Sequence, residues 1–473
     1  MKKIQLGFFA AVLLIGLSIT SCTKDVGQIC FPVNTVDTYD IYSGETLEID
    51  MTIENLMDGE LTVEANCENP FYGVSVSDVE GDNFKLTVNA PDFIKEQTEI
   101  KIPVKVSDVH YDFREPITKT ITVIGKPDAN LVRVAKKANS LICEPGKIVC
   151  FKAFKGNSGD AVDFDEAYVI WQDKQNLVSK IMTSDDEIVA WLTDGVRGNA
   201  LVGAFKNDKL VWTYHLWVIS DDPAEDLFEF TAEDGTKYSF IDRNLGAIDA
   251  TADGDVYGLY YFWGNRHPYA GGETALYDID GNTVEYSIEA TAAICAENSL
   301  DDIFEYSLTR PLTMFSSNDN KNGNYEWLFY HKDKDKWTAK ADLWGGVSGT
   351  KSIYDPCPEG YKVPSYAAMN TFKAANATQE KQYNGEVANK NFVGWGFTND
   401  KGGAFIPAAG DYNNTLKYEA FYNGENTWPT TILWAADMQI DNFRATCLKG
   451  TPTSIAPAGQ PMGYVANVRC IKE

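Results

Sequence analysis

Apolar and polar residues alternate through much of the first quarter of the chain. Leu47, Ile49, Met51 and Ile53 fall on every second position, as do Phe84, Leu86 and Val88, and then Ile100, Ile102, Val104 and Val106. A period of two places all the apolar side chains of a strand on one face. Turn residues separate the runs: Ser43-Gly44, Asp58-Gly59 and Gly81-Asp82-Asn83. Six or seven short strands in about 90 residues predict an immunoglobulin-like β-sandwich over 37–126.

Lys126-Pro127-Asp128 marks a boundary, and a second β-rich, sandwich-like domain is expected over 127–222. Cys143 and Cys150 flank Glu144-Pro145-Gly146-Lys147, a turn sequence. Two cysteines so placed either bond across a hairpin or sit as core thiols. Leu210 to Ile219 is apolar on both faces, as in a strand buried on both sides or lying at an interface. His215 lies in that run between Trp212 and Trp217, where a packed, hydrogen-bonded histidine is the expectation.

Ser220-Asp221-Asp222-Pro223 marks the next boundary. Beyond it Gly, Asn and aromatic residues become frequent and the periodicity weakens. Ser365 can cap a helix over 366–375, with Met369 and Phe372 on one face. Residues 463–471 read as a strand. The stretch 223–473 therefore reads as a loop-rich α+β domain.

The N-terminus has a different pattern. Lys2 and Lys3 precede an uncharged run from Leu6 to Ile19. That run has the length of a signal-peptide core and falls short of the ~20 residues that span a bilayer. It ends Leu17-Ser18-Ile19-Thr20-Ser21-Cys22, which resembles the lipobox of bacterial lipoproteins. The expectation is a signal peptide over 1–21, an acylated Cys22 and a tether over 22–36. Two or more acyl chains give stable anchoring. Thr23 in place of an aspartate favours the outer membrane, and the cell surface is the expected destination.

Charge and motifs narrow the chemistry. The net charge is −27 with no basic tract, which argues against a nucleic-acid partner. The lipid is the one membrane contact expected. Eight cysteines remain after Cys22, and none forms a CxxC pair. GxSxG, HExxH and phosphate-loop motifs are absent, and His110, His215, His267 and His331 are scattered. No enzymatic activity, cofactor or metal is expected. Asp278, Asp280, Asn282 and Glu289 partly match a calcium loop, but its sixth position holds Thr283 where glycine is required, so a polar turn is the better reading. Tyr325, Trp327, Tyr330, Trp337 and Trp344 crowd a segment rich in Lys, Asp and Gly. Rings in polar loops either stack on sugars or plug a core. Tyr325, Trp327, Trp337 and Trp344 are taken as the candidate ligand-binding residues. Trp395 and Trp428 carry the same ambiguity.

Five phrases occur in order: Phe240-Ile241-Asp242-Arg243-Asn244-Leu245-Gly246-Ala247, Gly258-Leu259-Tyr260-Tyr261-Phe262-Trp263-Gly264, Leu343-Trp344-Gly345, Tyr354-Asp355-Pro356-Cys357-Pro358-Glu359-Gly360-Tyr361-Lys362-Val363-Pro364, and Val468-Arg469-Cys470-Ile471-Lys472. The series resembles the Fibrobacter succinogenes major paralogous domain of Bacteroidetes surface lipoproteins, with Tyr361 where a tryptophan is frequent. The resemblance implies a C-type-lectin-like fold whose first and last strands pair, and a Cys357–Cys470 disulfide. It also implies a binding module, so the expected function is adhesion or glycan binding at the cell surface, to a glycan or a surface protein. The rival expectation is an accessory or tip subunit of a fimbria. The first arginine after Cys22 is Arg114, too deep in the first sandwich for maturation by cleavage near the N-terminus.

Overall fold

The computed structural model describes residues 29–473 apart from 33–35, 56–59, 111–114, 226, 252–254, 273, 301, 318–326, 329–339, 374, 376, 382–391, 400–401, 414–417, 420, 423–427 and 440–443. The chain divides into two compact units, Met1–Ala129 and Asn130–Glu473.

In the first unit the alternating runs form strands: β1 (Thr38–Tyr42), β2 (Thr46–Thr52), β3 (Leu61–Ala65), β4 (Gly73–Val76), β5 (Asn83–Asn89), β6 (Thr98–Asp108) and β7 (Ile117–Lys126). They make two sheets, β1-β7-β6-β3 and β2-β5-β4. β1 joins β7 in parallel, and the other pairs are antiparallel. Along β6, Ile100, Ile102, Val104 and Val106 are buried while Lys101, Pro103 and Lys105 are exposed. They meet Ile49 and Met51 of β2 and Leu86 and Val88 of β5 in one core. Each such aliphatic side chain contributes ~1.5–3 kcal/mol on full burial. The predicted sandwich over 37–126 is present.

The second unit begins with another sandwich. Its strands are β8 (Leu131–Val134), β9 (Ser140–Cys143), β10 (Ile148–Lys152), β11 (Glu166–Gln172), β12 (Val178–Ser184), β13 (Glu187–Leu192), β14 (Gly198–Lys206) and β15 (Lys209–Val218). One sheet runs β8-β10-β13-β12, and the other contains β9-β15-β14-β11. Cys143 and Cys150 therefore stand on strands of different sheets and form no disulfide. The turn between them connects the layers and makes no hairpin.

The remainder of the unit is built against that second sheet. Its strands include β16 (Phe228–Thr231), β17 (Lys237–Phe240), β18 (Tyr260–Phe262), β19 (Leu276–Tyr277), β20 (Thr283–Val284), β21 (Tyr361–Lys362), β22 (Thr431–Gln439), β23 (Arg444–Thr451), β24 (Ser454–Pro461), β25 (Val465–Asn467) and β26 (Ile471–Lys472). β16-β17-β26-β21 form one sheet, with Phe240 opposite Ile471. β22 to β25 belong to a seven-stranded sheet, to which β18 is joined through β25. The predicted last strand is thus two strands in two sheets, with 468–470 crossing between them.

The division read at 222/223 runs through a shared structure. The β19–β20 hairpin extends the sandwich sheet at β11, through Gln172 and Tyr277. One face of that sheet packs Leu141, Val202, Tyr214 and Leu216 into the sandwich core. The other packs Trp171, Leu201, Trp217 and Ile219 into the core of the C-terminal part. A β-bulge between Val169 and Trp171 turns Val169 to the first core and Trp171 to the second. The doubly apolar run from Leu210 to Ile219 has this cause.

Ser365 caps the expected helix by accepting a hydrogen bond from Ala368 N at 3.2 Å, but the helix spans only Tyr366–Met369. Thr371 N and Phe372 N bond three residues back, and the Thr371 hydroxyl donates to Ala368 O, so the last turn tightens and stops. Met369 and Phe372 are buried as predicted.

Candidate functional site

Of the predicted aromatic site, the two described residues, Trp327 and Trp344, form no outer face. Trp327 is fully buried among Phe262, Phe304 and Phe315, and its indole N–H donates to Trp263 O at 3.1 Å. Trp344 is 1% exposed and packs on Trp263. An enclosed ring offers no face to a sugar, so both residues are corrected from binding candidates to core. Tyr325, Tyr330 and Trp337 lie outside the described residues, as does Cys22. Trp395 is buried, with its N–H on Thr451 O.

The other expectations resolve locally. Cys357 and Cys470 form a disulfide that closes 113 residues of sequence separation. Asp278 takes the N–H groups of Asp280 and Asn282 and the amide of Asn282 within the β19–β20 turn, with Gly281 at φ +83°. Its carboxylate is occupied in holding a polar turn. Among the described residues no group of three or more His, Cys, Asp and Glu is placed to hold a metal ion.

His215 is 1% exposed, with Nδ1 2.9 Å from Ser140 Oγ and Nε2 2.9 Å from Asn199 Oδ1. Asn199 Nδ2 is committed to Asp173 and to Gly246 O, which fixes Asn199 Oδ1 as the acceptor for His215 Nε2–H. A serine, a histidine and an amide in line resemble a hydrolytic triad. The chemistry argues otherwise. Ser140 is 2% exposed, and its single hydroxyl proton also faces Pro356 O at 2.6 Å. Burial pushes the His215 pKa down to about 3. A useful general base has a pKa near the operating pH and a nucleophile that can be reached. The network instead stitches the sandwich to the 353–356 segment, where Asn139 Nδ2 also donates to Ile353 O and Asp355 O at 2.8 Å.

Just past that segment, Pro358, Glu359 and Tyr361 form one wall of a cleft of about 360 Å³, within the range of small-ligand sites. Its rim carries Lys136, Glu144, Asp221, Asp222, Glu359 and Tyr361. Lys351, 4% exposed, positions the Glu359 and Tyr361 side. Its Nζ donates to the carbonyls of Cys357, Pro358 and Tyr361 at 2.7, 2.6 and 2.6 Å. Burial lowers its pKa. Asp355 accepts the N–H groups of Cys357 and Val363, each at 2.8 Å, and burial raises its carboxyl to about 6. The disulfide ties the same loop to the start of β26. The cleft wall is therefore a knotted loop, held before any ligand arrives.

Four carboxylates face one lysine on this rim. Lys136 lies 3.8 Å from Glu359. Asp221 pairs with Arg243, which is 2% exposed and also held by Asp242. Glu144 is 70% exposed and only loosely paired, 3.9 Å from Lys147. Asp222 accepts Ala224 N. In the sequence these residues read as punctuation: a turn after Cys143, a boundary at 220–223, and the Pro358-Glu359-Gly360 corner. No motif marked them, because the cleft is assembled from three distant segments.

No family model matches the chain, and no curated protein matches it. Among solved structures it is similar to an endo-fucoidan hydrolase from glycoside hydrolase family 107, with 10% identity, 41% of this chain and 29% of that chain covered, and a TM-score of 0.22. It is also similar to a chimeric titin Z1Z2 fragment, with 13% identity, 42% of this chain and 100% of that one covered, and a TM-score of 0.16. Domains 5–6 of the S-layer protein SbsC match at 13% identity over 40% of this chain and 95% of theirs, with a TM-score of 0.15. The match spans less than a third of the hydrolase.

Proposed function

We propose that this protein is a lipid-anchored, non-enzymatic adhesion protein of the outer cell surface that binds a glycan or a surface protein through its second unit. The proposal takes 1–21 as a signal peptide and Cys22 as the acylated residue. It takes the first sandwich as an immunoglobulin-like spacer and the part after residue 222 as a C-type-lectin-like module of Fibrobacter succinogenes major paralogous domain type. The supporting observation is the preformed acidic cleft between the sandwich sheet and the disulfide-tied 351–363 loop. Carboxylates and a tyrosine ring in a cleft suit recognition by hydrogen bonding and stacking. The serine and histidine beside it are locked in structural bonds.

The test has two arms. Cys22→Ala should move the protein from the detergent phase to the aqueous phase on membrane extraction, and unchanged partition would remove the anchor. The full chain is then applied to glycan and surface-protein arrays. Binding that falls with Asp222→Asn or Tyr361→Ala, at unchanged melting temperature, supports the reading. Blank arrays would count against it.

A further inference from the structure

The cleft contains a sheet edge. Among the described residues β9 is the terminal strand of its sheet and pairs with β15 alone, in parallel. Asn139 O and Cys143 O accept from His215 N and Ile219 N of the β15 side. Successive residues of a strand turn their backbone groups to opposite edges. The odd-numbered residues of β9 therefore serve β15, and Ser140 and Ile142 present N–H and C=O away from it. Ile142 lines the cleft, and among the described residues its outward backbone groups meet no backbone partner. An unpaired strand edge is a template for a further strand.

We infer that the cleft accepts a short extended segment of a basic protein, added as a strand along the free edge of β9. This deepens the adhesion reading and rests on it. The backbone of Ile142 would supply one donor and one acceptor to the incoming strand. A bound strand turns alternate side chains to opposite sides. One set meets Ile142 and Ile219, which line the cleft, and the other meets the acidic rim of Glu144 and Asp222. With Asp221 on Arg243 and Glu359 on Lys136, the carboxylates of Glu144 and Asp222 select for lysine or arginine at those outward positions. The main chain gives affinity and the charges give selection, as in strand-addition recognition generally. A neutral glycan would use the carboxylates but leave the strand edge unanswered.

The experiment measures binding of the full chain to a labelled peptide of alternating lysine and valine. Its control is the same peptide N-methylated at the central residues, which lacks the donors a strand needs. The unmodified peptide should bind, and N-methylation should weaken it about tenfold. Ile142→Pro should weaken it by a similar factor. That N–H faces away from β15, so proline there removes no ladder bond. Asp222→Asn and Glu144→Gln should weaken binding and flatten its salt dependence. If Ile142→Pro fails to fold, the methylated peptide on the unaltered chain decides the matter alone. Equal binding of the two peptides, or none at all, overturns strand addition. Array binding without peptide binding leaves adhesion standing and removes only this inference. Failure of both removes both.

Discussion

Trp327 lies in a segment crowded with Lys, Asp and Gly, yet its ring is enclosed by three phenylalanines and its N–H is spent on Trp263 O. Local sequence cannot distinguish such a residue from a surface platform, because the rings that enclose it come from up to 65 positions earlier. Trp327→Ala should therefore destabilise the second unit by about 3–5 kcal/mol in urea titration. A variant that keeps its stability would return the ring to the surface. His215 was legible, since a histidine between two buried tryptophans has few roles. Its folded-state pKa, near 3 against an ordinary 6.5, sets a sign. As pH falls below 6.5 the unfolded chain takes up a proton that the folded chain refuses, so this contribution to stability is present above 6.5 and is lost on acidification. The difference in unfolding free energy between the native chain and His215→Gln should fall by up to about 1.4 kcal/mol per pH unit between about pH 6 and 4. Buried Asp173 and Asp355, both raised to about 6, act in the opposite sense and cancel in that difference.

At the scale of elements, strands with one buried face were the most legible. The period of two in β2, β5 and β6 survives intact in the structure. β15 signalled double burial through its apolar run, but not what covered it. The cover arrives from residues 227 and beyond, where periodicity is weak and loops carry the packing. The bulge before Trp171 was invisible, because one extra residue in a strand leaves no compositional mark. The Cys357–Cys470 pairing came from a family resemblance and is present in the structure. On the entropy model a loop of that size contributes about 4–5 kcal/mol. Cys470→Ala should lower the urea stability of the second unit by roughly that amount and leave the first sandwich unchanged. A loss below about 1 kcal/mol would mean that the β17–β26 pairing holds the loop unaided.

On the scale of the whole molecule, the chain comprises two separately cored units, not the three domains that length and boundaries suggested. The missing boundary at 222/223 has a physical reason: neither side can bury its share of the β9-β15-β14-β11 sheet alone. Calorimetry should therefore show two transitions, one per unit, and limited proteolysis near 127–130 should release two folded pieces. A third stable piece ending near 222 would contradict the shared core. Net charge fits the same scale, since −27 spread over this surface opposes self-association and favours basic partners.

The pairing of Phe240 with Ile471 also governs how the protein is made. β26 lies between β17 and β21, so two strands separated by more than 100 residues wait for one short segment near residue 471. During synthesis the second unit cannot close this sheet or form its disulfide until Cys470 and Ile471 have been delivered. Until then Phe240 lacks its cross-strand partner, and the core of Phe240, Phe372 and Trp395 lacks Ile471. A chain halted even a few residues before Cys470 would therefore lack both the strand between β17 and β21 and the disulfide that ties the 351–363 loop.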